Sequence, residues 1–303
     1  MRLLASYAYL RKDKRFADIM REATKCSDVM IDSGAFSAYW SGVPITLDEY
    51  MRFLSDWPTP RAGYIALDVL MNFPQSMENL RIMRDNGFDP MPVLTEDARA
   101  EQISELNSKR ICLAGGPKQP NAWYIPRLRK VRGIVGDDTA LHGLAFTRGR
   151  SMMFARSSLN SSDSSSYLQS TRYGRATMFD RSDGVIPLDG RQKWMRMSTK
   201  EREYIVRNGV PASAWWETGH FSYHSIASSA SWVEYGDMCE GIGKRLYFAI
   251  GNMPDLRVAL YSRVAAWVGG VKYSDFLAQK ELFKKGTDEQ MLDIIKRYAE
   301  AAA

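Results

Sequence analysis

The strongest constraint on this chain is a pattern repeated from its first residues to about position 165. Short apolar runs, several of them ending on an acidic residue or a glycine, alternate with stretches of helical spacing. Residues 3–7 (LLASY), 28–32 (DVMID), 63–67 (GYIAL, with Asp68 next), 90–94 (PMPVL) and 110–114 (RICLA, running into Gly115-Gly116-Pro117) are such runs. Runs with little polar alternation suit strands buried on both faces, as in a parallel sheet covered by helices. Residues 46–57, 76–86, 99–107 and 121–132 read as the intervening helices. Thr46 offers a cap oxygen with Glu49 three residues on, a capping-box pattern, and Gly87 ends the second helix. Pro126 is a candidate break in the last of them. Residues 139–146 and 155–162 supply two weaker strands.

Strands alternating with helices imply right-handed parallel crossovers. Seven or eight such units predict an α/β fold of the TIM-type (β/α)8 barrel kind, and 303 residues suit one barrel of about 250 with an appendage. An open doubly wound sheet is the structural alternative, although no GxGxxG follows the first strand. The pattern changes after about residue 170. Residues 175–188 read as a hairpin turning at Asp183-Gly184. Residues 200–208, 256–268 and 287–302 read as helices, and 215–232, rich in Trp, His, Tyr and Ser, takes no assignment. The expected organisation is therefore most of the barrel in 1–175. A small β-hairpin insertion and a helical C-terminal extension packed on the barrel fill 176–303.

Lys plus Arg number 41 against 35 Asp plus Glu, a net charge of +6 that is compatible with a polyanionic partner without specifying one. The three cysteines, Cys26, Cys112 and Cys239, are far apart, so no CxxC-type metal spacing exists. Sparse, odd cysteines fit a reducing compartment. No signal-peptide-like apolar run opens the chain, and no stretch approaches about 18 apolar residues. A cytoplasmic protein with no membrane partner is expected.

In a parallel barrel the carboxyl ends of the strands form the functional face. Asp32, Asp68 and Asp163 each fall at or just beyond a predicted strand end. Three carboxylates on one rim suit a nucleophile, a general acid/base and an acceptor for a polar ligand edge. An Asp after a strand is also a common turn former or helix cap, so the neighbouring residues carry the argument.

Those neighbours resemble the tRNA-guanine transglycosylases. Asp32-Ser33-Gly34-Ala35-Phe36 resembles that family's Asp-Ser-Gly-Gly-Phe segment. Ile65-Ala66-Leu67-Asp68 resembles its next strand, and Leu113-Ala114-Gly115-Gly116 its Gly-Gly-Leu-Ala-type loop. His142-Gly143-Leu144 sits where the family has a glycine-containing strand end. Asp163, followed by Arg172-Tyr173-Gly174, resembles the nucleophile segment that precedes an Arg-Asn-Gly turn. The blocks keep the family's order from about residue 28 to 175. The chain departs from the tRNA enzymes in lacking clustered cysteines for a structural zinc, in Ala35, in Tyr173, and in having no Gln-Gly-Gly counterpart at Pro92-Val93-Leu94-Thr95. It is more similar in this to the DNA 7-deazaguanine transglycosylases of bacteria and phages, with a bacterial or phage-infected cytoplasm as the implied location.

The resemblance implies a pentosyltransferase that replaces guanine in DNA with a 7-deazaguanine derivative such as 7-cyano-7-deazaguanine, with no cofactor or metal. It implies Asp163 as nucleophile, Asp32 as general acid/base and Asp68 as acceptor from the purine edge. Ser33, Gly34, Phe36, Leu113, Gly115, Gly116, His142, Gly143, Arg172, Tyr173 and Gly174 are implied around the base. Acting on a duplex requires a flipped nucleotide, and Phe36 and Tyr173 are candidates to sandwich it, although Phe36 reads equally well as a core aromatic. Arg148, Arg150, Arg156, Arg172 and Arg175 are candidates for phosphates, and equally for a solvated basic face. His220 and His224, four apart, with Glu217 and His142, form a weaker metal alternative. Trp215, Trp216 and Trp232 read as core or interface. Action on tRNA, hydrolytic base removal and a non-catalytic nucleic-acid-binding barrel are the competing functions. An oligomer is compatible with all of them.

Overall fold

The computed structural model describes residues 1–115, 121–146, 153–168, 175–180, 184–189, 197, 199–215, 217, 219–265 and 271–300. Seven parallel strands form one curled sheet in the order β2-β1-β9-β6-β5-β4-β3. They are β1 (Arg2–Ser6), β2 (Val29–Asp32), β3 (Val93–Leu94), β4 (Arg110–Leu113), β5 (Ala140–Gly143), β6 (Ser161–Ser164) and β9 (Arg245–Ile250). A separate antiparallel pair, β7 (Arg175–Asp180) with β8 (Gly184–Asp189), is the expected hairpin. The Asp183 side of its turn lies outside the described residues.

Both faces of the sheet are apolar, as the uninterrupted runs required. Leu3, Ala5, Val29, Ile31, Ile111, Leu141 and Phe248 pack outward into the main core with the helices. The alternate residues Leu4, Met30, Met91, Val93, Cys112 and Tyr247 form a smaller cluster with Ala62 and Ile65. That alternation is the period of two along a strand, and it puts one set of side chains on the concave side of the curl.

Segment 63–67 departs from the reading as a strand. It makes single parallel bridges, Tyr64 to Ile31 of β2 and Ile65 to Met91 ahead of β3, so it touches both edge strands without a continuous ladder. Backbone amides of Ile31 and Met91 donate to Gly63 O and Tyr64 O, while side chains take the next carbonyls: the Tyr50 hydroxyl donates to Ile65 O at 2.8 Å and Asn79 Nδ2 to Leu67 O at 2.9 Å. Tyr50 is fully buried, and losing such a bond leaves a dry carbonyl. Tyr50→Phe is expected to cost about 1–2 kcal/mol, read as a lower denaturant midpoint with an unchanged slope.

Residues 155–162 also depart from the strand reading. Met153–Arg156 is a helical turn, and the strand begins only at Ser161. Cations occupy the carbonyls between: Lys244 Nζ binds Ser157 O and Leu159 O, and Arg132 binds Ser158 O. Residues 100–106 wind as a 3-10 helix ending in left-handed Asn107. The helix Asn121–Val135 runs through Pro126. The helix Leu47–Asp56 is capped by Thr46, which accepts from Glu49 N, but the Glu49 carboxylate pairs with Arg11 rather than closing a capping box.

The largest omission from the sequence reading is β9. It lies between β1 and β6 and so brings a stretch beyond residue 176 into the middle of the sheet. The unassigned Trp-rich segment leads into the helix Tyr223–Gly241, whose first half is buried. Trp215 and Trp232 are core residues, as expected. Among the described residues, no helix is long and apolar enough to cross a membrane.

Candidate functional site

Because every strand pair in the sheet is parallel, all carboxyl ends point one way. Asp32 is the last residue of β2, in register with Ser6, the last of β1. Leu113 and Gly143 end β4 and β5 side by side. Asp163 lies in β6 itself, opposite Tyr247 of β9. Asp68 follows segment 63–67 directly.

Asp163 acts on Asp32, and Asp32 on Asp68. Burial raises the Asp32 carboxyl to about 6, and the charge of Asp163 adds to the rise; Ser6, the Gly34 N–H and His142 oppose it. The Gly34 amide donates to Asp32 Oδ2 at 3.0 Å, whereas the buried Ser6 hydroxyl lies near without a well-formed hydrogen bond. Burial raises Asp68 to about 7, with Asp32 the next contributor and Glu96 a lesser one, against a hydrogen bond from Ser33. Both groups keep some solvent contact. Cys112, fully buried on β4, reports the same convergence: its thiol is pushed well up by burial, then by Asp163, Asp32 and Asp68 together. Asp163 is 8% exposed, and its Oδ1 accepts from Ala145 N at 2.9 Å and meets His142 Nε2 at 3.3 Å.

No family model matches this chain, and no curated protein is similar to it. What this cluster can do therefore follows from its own groups. Two carboxyls that titrate near neutrality beside a third suit proton transfer coupled to attack at an electron-poor carbon.

Several residues expected around the base are buried or serve packing. His142 is 2% exposed with both ring nitrogens engaged, Nδ1 to Ser161 Oγ at 2.9 Å. Its ring supports Asp163 and is closed to a ligand. Ser33 is fully buried beneath Asp68. Leu113 is buried, and Tyr124 packs against Gly115. A Cβ on Gly143 would press Leu159 and Phe146 at 2.6 and 2.8 Å, so this glycine serves packing. Phe36 is half exposed, on the helix Ala35–Ser41 with exposed Tyr39 and Trp40, and is not a core aromatic. Gly116, Arg172, Tyr173 and Gly174 lie outside the described residues, as do Arg148 and Arg150. Arg156 is exposed. His220 precedes the helix that holds His224, so the two share no helical face, and Glu217 pairs with Lys280. Among the described residues no cluster has the make-up of a metal site.

The reading from sequence missed Ser161 and Ala145. Ser161 was accessible, since residues two apart on a strand share a face with Asp163. Ala145 carried no signal: its donating N–H depends on a left-handed backbone (φ 52°) that alanine seldom adopts.

Gly34 is the position where glycine is required by geometry. Its φ is +83°, and an added Cβ would sit 2.5 Å from Ala8 Cβ and 2.8 Å from Ala8 N. Gly34→Ala combines left-handed strain with overpacking, each about 1–2 kcal/mol. The expected result is a loss of about 2–3 kcal/mol in denaturant unfolding and a displaced Asp32.

Proposed function

We propose that this chain is a base-exchange transglycosylase acting on nucleic acid, DNA in the first instance, that replaces guanine with a 7-deazaguanine derivative. The observation that carries the reading is the placement of three aspartates toward one side of a parallel sheet, Asp32 closing β2, Asp163 in the last half of β6 and Asp68 directly after the bridged segment 63–67, near enough for Asp163 to act on Asp32 and Asp32 on Asp68. The order of the sequence blocks around them favours this chemistry over other uses of three carboxyls. The curled sheet of seven parallel strands is a half-barrel that is not closed, and with segment 63–67 bridged at its two edges it is compatible with the (β/α)8 barrel such an enzyme would use.

In this mechanism an Asp163 oxygen attacks the sugar's anomeric carbon as the glycosidic C–N bond breaks. Asp32 gives its proton to the leaving base. The incoming base loses a proton to Asp32, attacks the same carbon, and the C–O bond to Asp163 breaks. Two inversions retain configuration. A carboxyl near 6 is matched to giving and taking a proton at neutral pH. Asp68 accepts from the N–H edge of the purine, and exposed Phe36 on the rim offers a face to a flipped base.

The test is to incubate the protein with labelled guanine or 7-cyano-7-deazaguanine and with DNA or tRNA, then follow label in nucleosides by mass spectrometry. Label in DNA supports the proposal; label only in tRNA moves the substrate; abasic sites without incorporation make the enzyme a hydrolase. Binding without any of these outcomes overturns catalysis altogether.

A further inference from the structure

We propose that His142 is a positioning residue for Asp163, held in turn by Ser161, so that one buried chain of bonds fixes the carboxyl from behind. This rests on the reading of Asp163 as nucleophile but assigns a role that reading leaves open. Asp163 is a side chain on a strand, free in principle to choose among rotamers. Two donors remove that choice by meeting the same oxygen, Oδ1: the Ala145 N–H at 2.9 Å and His142 Nε2 at 3.3 Å.

The imidazole is itself immobilised. Its Nδ1 lies 2.9 Å from Ser161 Oγ, and its ring meets Tyr247 edge-on at 5.9 Å. Cys112 is its register partner on β4. A carboxylate is acceptor-only, so Nε2 carries the hydrogen given to Asp163 and Nδ1 accepts from the Ser161 hydroxyl. The charged or titratable groups around the ring are thus Asp163, Asp32, Cys112 and Tyr247, with Asp32 felt through space. With 2% exposure the ring has no route to substrate, which makes it a positioner rather than a proton donor to the base. The turn that carries Ala145 is strained in the same cause: alanine at φ 52° costs about 1–2 kcal/mol, and the strained residue is the one whose N–H binds Asp163.

His142→Leu removes the donor, and His142→Gln restores an N–H of similar reach. For the leucine variant kcat is expected to fall about a hundredfold, with KM for the free base within twofold of wild type and the alkaline limb of the pH profile shifted. The glutamine variant should recover about tenfold of that loss. A second arm does not need turnover. The chain has three histidines, so the His142 imidazole nitrogens can be assigned in 15N spectra by difference from His142→Gln. In folded protein, Asp163→Asn should shift the Nε2 resonance and Ser161→Ala the Nδ1 resonance. A wild-type protein that exchanges no base, with both shifts present, counts against the proposed reaction and leaves the bond chain standing. An Nε2 resonance indifferent to Asp163→Asn, or a leucine variant with unchanged kcat and pH profile, overturns the positioning role.

Discussion

Asp163→Asn should abolish base exchange, by about ten-thousand-fold or more, while leaving the fold intact. The magnitude is that of losing the nucleophile, the role proposed above for Asp163. The structural half follows from the local bonds. Asparagine keeps an oxygen for the Ala145 N–H, which now reaches Asp163 Oδ1 at 2.9 Å. Alanine would leave that amide and the His142 ring without their acceptor in a buried place, at about 1–3 kcal/mol each, so it is the poorer variant. Wild type, quenched during turnover, should yield a covalent nucleic acid–protein adduct; the asparagine variant should yield none. Asp163→Asn has a further consequence that needs no substrate. The charge of Asp163 helps hold the Asp32 carboxyl up at about 6, so in the variant Asp32 should titrate lower, toward the ordinary carboxylate range. Carboxyl-carbon NMR titration checks this. Full exchange activity in the asparagine variant ends the assignment of Asp163, whatever the titration gives.

The sequence made the strand ends legible because hydrophobic runs buried on both faces are a strong local signal, and because a polar residue closing such a run lies at a sheet edge. That logic found Asp32, which closes the run Val29–Asp32; Asp163 lies in the polar strand Ser161–Ser164, which carries no such signal. The logic failed where side chains take the place of a ladder. Segment 63–67 has the composition of a strand and shares backbone bonds with Ile31 and Met91, yet Tyr50 and Asn79 take the carbonyls of Ile65 and Leu67 and the ladder goes no further. Residues 157–159 lose theirs to Lys244 and Arg132; no local pattern encodes those distant cations. β9 is a different case. Arg245–Ile250 is an apolar and aromatic run preceded by Gly243 and followed by Gly251, and the signal was present. It was masked by the expectation that the sheet ended near residue 175. The role of His142 was invisible for a third reason: a histidine at a strand end looks the same whether it faces a ligand or the back of a carboxylate, and only its 2% exposure decides.

Replacing Asp68 by asparagine should stabilise the protein at pH 8 while disabling it. The folded Asp68 carboxyl titrates at about 7, raised first by burial and then by Asp32, against about 3.9 in an unfolded chain. Between those values the folded state holds a proton that the unfolded state has released. Stability therefore falls as pH rises through that window and levels off above about pH 7. The direction is opposite to that of a salt-bridged aspartate, whose contribution is lost on acidification. A full shift of this size corresponds to about 4 kcal/mol, and the remaining solvent contact of Asp68 reduces the expected gain to about 2 kcal/mol. The asparagine side chain carries no charge at any pH, so the gain of Asp68→Asn over wild type should be near zero at about pH 4, grow to about pH 7 and stay constant beyond. Equilibrium denaturation of both proteins across that range and one or two pH units above it measures the difference. On the proposed reading a bound base offsets this cost. Two N–H donors on a guanine edge favour the ionised carboxylate, so base binding should release a proton just below neutrality and tighten as pH rises toward about 7. An asparagine in this place offers one acceptor and one donor where the base presents two donors, and the variant should lose exchange by about a hundredfold or more. A stabilised variant that still exchanges base at the wild-type rate would remove Asp68 from recognition and leave its raised pKa a matter of burial alone.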